Sequence, residues 1–187
     1  MYVIFIHGPP AVGKYTIGKL VSDHLHMPLY HNHLAVDLAT CLFDFGSEAF
    51  KLLRESIWLK SFELAAAHGQ SFIFTFNPEA TVAEDLIPRL MNLLRSNGGD
   101  VLFVELACAE ETVLARLSES SRRQFGKLTD REVYMATRDA GGFKHRPLPE
   151  PLLRIDTDLM DARTAADLII ETVTATTDNI PFHRDRT

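Results

Sequence analysis

The hydrophobic positions of this chain change their period as the sequence is read. Residues 2–7 are continuously apolar and partly β-branched and stop at Gly8-Pro9-Pro10; this is the pattern of a strand buried on both faces. Over 14–26 the apolar residues Ile17, Leu20, Val21 and Leu25 recur at helical spacing. A very short strand is predicted at 28–30. A helix over 32–43 follows, with Leu34, Leu38 and Leu42 in phase, and then a turn at 44–46. Ser47 stands where it would cap a long helix reaching about His68, with Phe50, Leu53, Ile57, Trp58 and Leu64 inward and Gly69 ending it.

The second half repeats the alternation. Residues 71–76 read as a third buried strand. Thr81 and Glu84 have capping-box spacing ahead of the next helix, in which Pro88 predicts a kink or a late start. Asn97-Gly98-Gly99 closes that helix. A fourth strand over 101–106 leads to a helix over 110–119. Thr129 and Glu132 again have capping-box spacing, before a short helix that ends at Gly141-Gly142. A fifth strand over 152–155 and a last helix over 161–174 complete the pattern, with Ala165, Leu168, Ile169 and Val173 in phase. Five apolar strands separated by helices predict an α/β fold whose parallel sheet is covered on both faces. One domain is expected over 1–175, with a polar insertion at about 118–129 and a polar tail at 176–187.

Composition narrows the classes. The chain has 187 residues, 46% hydrophobic and 24% charged, enough for one domain with a sizeable core and unlike a disordered chain. Its longest apolar runs are about five residues where a membrane span needs about 20, and no basic segment precedes the first, so neither a span nor a signal peptide is expected. A net charge of −6 argues against a nucleic-acid partner held by bulk charge. It leaves room for a small anion in a local basic pocket. Cys41 and Cys108 are far apart and belong to no motif, which suits a reducing, cytoplasmic setting.

One segment carries chemistry. Gly8-Pro9-Pro10-Ala11-Val12-Gly13-Lys14-Tyr15-Thr16 matches G-x-x-x-x-G-K between a strand and an amphipathic helix, the context this phosphate-binding motif requires. Loop N–H groups can form an anion nest, the helix N-terminus adds its positive end, and Lys14 can reach the β- and γ-phosphates. Where Ser or Thr usually binds Mg²⁺ directly after the lysine, this chain has Tyr15, with Thr16 one place later. Thr16 is then the candidate for the metal or for the α- or β-phosphate, and Tyr15 either contacts the nucleotide or packs over the loop.

On the strand, the loop, the order of elements, the arginines of the polar insertion and Arg154-Ile155-Asp156-Thr157, the chain resembles the small P-loop kinases. These include shikimate kinase, gluconate kinase, chloramphenicol phosphotransferase and the nucleoside monophosphate kinases; it looks most like bacterial shikimate-kinase-like proteins of the AAA-family-ATPase kind. The resemblance implies a three-layer P-loop NTPase fold with a five-stranded parallel sheet, helices on both faces and a small lid. It implies ATP and Mg²⁺ as cofactors. It places Arg116 near adenine and ribose, Arg122 or Arg123 in the lid, and Asp156 and Thr157 in the loop that wraps the adenine, or in an ordinary helix-initiating turn.

The acceptor side departs from that family. After the second strand shikimate kinases carry an acid, and this chain has His31-Asn32-His33. His33 is a candidate general base, with Asp37 four residues on to orient or replace it. Asn77 ends the third strand where many P-loop proteins have a Mg²⁺-binding Asp. It and Asn32 are candidates for holding the acceptor, unless these residues only line a cleft or cap a helix. The sequence therefore predicts a kinase moving the γ-phosphate of ATP to a small molecule, acting as monomer or homodimer. The alternative is an ATP-binding regulatory module or a slow ATPase. No N-K-x-D guanine-reading motif is present.

Overall fold

The computed structural model of the chain describes residues 1–118, 128–143 and 148–178. The expected lid arginines Arg122 and Arg123, Lys127 and most of the polar tail lie outside the described residues. Five strands form one parallel sheet: β1 (Tyr2–His7), β2 (Leu29–His31), β3 (Phe72–Phe76), β4 (Asp100–Ala107) and β5 (Leu153–Asp156), in the spatial order β2-β3-β1-β4-β5. Between and after them run α1 (Lys14–Leu25), α2 (His33–Thr40), α3 (Glu48–Ala67), α4 (Leu86–Ser96), α5 (Glu110–Leu117), α6 (Arg131–Asp139) and α7 (Ala162–Asp178). The α/β class and the five-stranded parallel sheet are those the pattern predicts.

The two-residue period of the strands sorts the core into two layers. Val3 and Phe5 of β1, Phe72, Phe74 and Phe76 of β3 and Phe103 of β4 face α3 and α4, where Trp58, Phe62, Leu86, Leu90 and Leu94 meet them. Ile4, Ile6, Ile73, Leu102, Val104 and Leu106 point the other way, onto Ile17 and Val21 of α1 and Ala165 and Ile169 of α7. The register pairs Phe5 with Phe74 and with Phe103, so the rings stack sideways across three strands. A one-residue slip would trade the aromatic and aliphatic faces, which is why this register is strongly specified. β1 lies at the centre, between β3 and β4, with β2 and β3 on one side and β4 and β5 on the other, so the strand order reverses there. Its carboxyl end is thus the switch point where ligands bind in open α/β sheets.

Several local expectations are corrected. Leu34, Leu38 and Leu42 do not face the core; they are about half exposed or more, and α2 packs inward through Ala35 and Ala39. Alanine lets this short helix approach the core closely. Leu64 is exposed as well. Helix α4 starts late, at Leu86, so Pro88 falls in its first turn, where no N–H bond is lost. Thr81 does not cap it. Its hydroxyl instead donates to Glu79 and accepts from Arg54. Helix α6 is capped by Asp130, whose carboxylate accepts from the Glu132 and Val133 N–H groups, and not by Thr129. Asp161 caps α7, accepting from Arg163 and Thr164. Ser47 caps α3 as expected.

Candidate active site

The glycine-rich loop leaves the buried end of β1 and turns directly into α1. Gly8 has φ 148°, and a Cβ there would lie 2.2 Å from the carbonyl oxygen of Leu106 on β4. Only a residue without a side chain lets the loop pass that close to the sheet. Ala11 (φ 62°) and Gly13 (φ 100°) are left-handed on either side of Val12. Val12 is fully buried and anchors the loop in the aliphatic layer. Alternation of hand along a short loop curls successive N–H groups toward one point, the geometry of an anion nest. Gly13 is also the N-cap of α1, and no side chain caps that helix end. Lys14 folds back over the loop and donates to the carbonyls of Gly8 (2.7 Å) and Pro9 (2.6 Å).

Gly8→Ala is expected to lower stability by about 2–3 kcal/mol, the usual cost of forcing a group into closed packing, and to remove nucleotide binding with it. Thermal melts with and without ATP check both effects.

The loop opens on a cavity of about 700 Å³. Pro10 to Ile17 form one wall. His31, Asn32, His33 and Asp37, with Thr75, Asn77 and Glu79, line one end, and Arg116, Thr157 and Asp161 line the other. Parallel pairing explains the first group: His31 pairs with Thr75, so Asn32 and Asn77 leave adjacent strand ends together. The Asn32 N–H donates to the Thr75 hydroxyl (3.3 Å). The side-chain oxygens of Asn32 and Asn77 are buried without a hydrogen-bond partner. His33 Nδ1 stands 3.8 Å from the Asp37 carboxylate, one helical turn on. Tyr15 lines the cavity and meets His31 edge-on, ring centroids 5.2 Å apart, while Thr16 is exposed on the same wall.

At the other end Arg116 makes a forked contact. Its guanidinium donates to the hydroxyl (3.0 Å) and the carbonyl (2.9 Å) of Thr157, which is itself tied to Ala107 of β4. Asp156 ends β5, is exposed, accepts from the Asp158 N–H and does not line the cavity.

One residue of the site region escaped the sequence reading. Arg54 on α3 has no exposed surface. It lies between the rings of Phe50 and Trp58, 4.9 and 4.8 Å from their centroids. It donates to Glu79 (2.8 Å) and to the hydroxyl and carbonyl of Thr81 (3.0 and 2.9 Å). Burial pulls its pKa down, against the opposing pull of Glu79; an arginine starts high enough to stay charged. The signal was available: Phe50, Trp58 and Phe62 form an apolar stripe at four-residue spacing, and residue 54 falls in it. A charge on such a stripe needs a buried partner.

Among proteins of known activity, the chain is 29% identical over 176 residues to the shikimate kinase of Tolumonas auensis, covering 90% of this chain and 94% of that one. Over most of its length the chain is thus similar to a small P-loop kinase. No family model matches it. Among solved structures, the adenylyl-sulfate (APS) kinase of Mycobacterium tuberculosis, determined with AMPPNP and APS, superposes with TM-score 0.60 at 13% identity, covering 92% of this chain and 96% of that one. The shikimate kinase of Acinetobacter baumannii, determined with shikimate, gives TM-score 0.56 at 17% identity, covering 93% of each. The sequence likeness supports a nucleotide-binding kinase, and the two structures share the fold. Among the described residues no helix is long and apolar enough to cross a membrane.

Proposed function

We propose that the protein is an ATP-dependent small-molecule kinase. One observation carries the reading: a glycine loop with nest geometry and its lysine form the wall of one cavity that joins two unlike ends. The triphosphate would lie along residues 8–16, with Lys14 and the loop N–H groups on its oxygens. Adenine would lie toward Arg116 and Thr157, with Asp156 shaping the turn behind them. The acceptor would enter beside Asn32, His33 and Asn77. His33, held by Asp37, would take the hydroxyl proton as the γ-phosphate is transferred. Arg122 and Arg123 are proposed to close over the phosphates from the segment at 118–129, excluding water and favouring transfer over hydrolysis.

Among the described residues no group of three His, Cys, Asp or Glu side chains stands together for a metal. An ion that arrives with the nucleotide and keeps most of its waters suits such a site, as Mg²⁺ does, with Thr16 offering a hydroxyl. When bound, it would neutralise phosphate charge.

The test is ADP release with and without a library of hydroxyl-bearing compounds. Acceptor-dependent release with a phosphorylated product is expected. Tight ATP binding with no transfer to any compound would instead favour a regulatory module, the reading that the missing Ser or Thr after Lys14 and the missing acid after β2 support.

A further inference from the structure

Residues 77–83 leave β3 beside the glycine loop, since His7 pairs with Phe76 in the parallel register. This stretch is pinned along its length. The Ala80 N–H donates to the carbonyl of Gly142 (3.0 Å), and the Ala83 N–H donates to the Glu55 carboxylate (2.9 Å). Arg54 grips it from α3, through Glu79 (2.8 Å) and through the hydroxyl and carbonyl of Thr81. The Thr81 hydroxyl in turn donates to Glu79 (2.9 Å). A carboxylate fixed by two donors on a pinned loop is preorganised.

Stability alone does not account for this arrangement. A buried ion pair is often matched or bettered by apolar side chains of similar volume. Position 54 lies in the buried stripe of Phe50, Trp58 and Phe62, where an apolar residue would pack. Arg54 also carries a cost, because its Nε is buried without a hydrogen-bond partner. What the pair does achieve is direction. Both donors to Glu79 end on Oε1. Oε2 takes neither bond, and Glu79 keeps 13% side-chain exposure and lines the cavity with Asn32, His33 and Asn77.

On the proposed kinase reading, we infer that Glu79 is an acceptor-binding residue. Its Oε2 takes an O–H of the acceptor; Arg54 and Thr81 are positioning residues that hold Oε1 and so aim the other oxygen. A carboxylate makes the stronger, charge-assisted kind of hydrogen bond. The contact needs one hydroxyl in the right place and sets no condition on the charge of the rest of the molecule. It brings a carboxylate to this end of the cavity from the loop after β3, where the segment His31-Asn32-His33 after β2 has none.

A cycle between residue and ligand tests it. Glucose, gluconate, glycerol, shikimate, serine and adenosine are titrated by calorimetry into the full chain, saturated with Mg²⁺ and a non-hydrolysable ATP analogue. Each compound that binds is compared with its monodeoxy forms, on the unsubstituted protein and on Glu79→Gln. Glu79→Asp, which keeps a charge opposite Arg54, takes its place in the cycle if the glutamine variant does not fold. For at least one compound, loss of one hydroxyl should weaken binding to the unsubstituted protein about tenfold or more, the scale of a hydrogen bond to a charged group. On the variant the parent compound should bind about tenfold more weakly, and the same deletion should cost less than about threefold. Affinity for the ATP analogue should stay within about twofold. A Glu79 that only shapes the loop would weaken parent and deoxy forms alike. Such additive losses, an unchanged affinity for every compound, or no binding by any of them overturns the inference. Phosphate transfer from ATP to the same compounds is followed separately by mass of the product. Transfer with additive losses overturns the inference and leaves the kinase reading standing. The non-additive loss without transfer supports the inference and removes the kinase reading.

Discussion

Replacing Lys14 with alanine is expected to lower ATP turnover by at least about a hundredfold, the usual loss when an oriented charge donor is taken from a phosphoryl-transfer site. Lys14 is the first residue of α1, and its ammonium lies over the carbonyls of Gly8 and Pro9 at the lip of the cavity. A bound triphosphate would compete for that ammonium with two neutral carbonyls, and a polyanion wins such a competition. The loop itself is held by Val12 in the core and by the approach of Gly8 to β4. Neither depends on Lys14, so circular dichroism should show the fold retained. Lys14→Arg should not restore full activity, because a planar fork does not replace a compact point charge. Turnover within about threefold of the unsubstituted protein, measured by coupled ADP release, would contradict the role given to this lysine.

The largest effect on stability is expected from the buried ion pair. Arg54→Met should cost about 3–5 kcal/mol, because Glu79 would be left a largely buried carboxylate without its counter-charge. That is a large share of the roughly 5–15 kcal/mol that holds a domain folded. Glu79→Gln should also destabilise the fold strongly, leaving the guanidinium between Phe50 and Trp58 without the carboxylate it is bonded to. The paired substitution Arg54→Met with Glu79→Gln should recover part of the loss, since it removes both charges. Urea denaturation of the three variants measures the coupling. A loss below about 1 kcal/mol for Arg54→Met would contradict the placement of this side chain in the core.

The first twenty-five residues were almost wholly legible. β1, the loop and α1 announce themselves through a continuous apolar run, two glycines, a lysine and a helical stripe, and each of those signals is local. The strands β3 and β4 were legible for the same reason: burial on both faces leaves few polar positions, such as Thr75 in β3 and Glu105 in β4, to obscure the pattern. Helix α2 was not. Its leucines have helical spacing, but which face turns inward depends on how close a neighbour lies, and Ala35 and Ala39 win because α2 sits tight on the core. The caps at Asp130 and Asp161 show another limit: where several Asp, Ser or Thr residues crowd one turn, spacing alone does not choose among them. The place of Arg54 in the apolar stripe of α3 is legible, but its partners, Glu79 and Thr81, are not, because they come from a loop more than twenty residues away in sequence. The meeting of Asn32 with Asn77 depends on strand order, which periodicity does not supply.

All of this turns on the loop's hold on a triphosphate. Amide NMR of the full chain, titrated with a non-hydrolysable ATP analogue and Mg²⁺, measures it residue by residue. The account predicts saturable shifts concentrated in Ala11, Val12, Gly13, Lys14, Tyr15 and Thr16, with smaller ones at Arg116 and Thr157. Saturable binding that leaves the amides of residues 11–16 unmoved, or no binding at millimolar nucleotide, would contradict it.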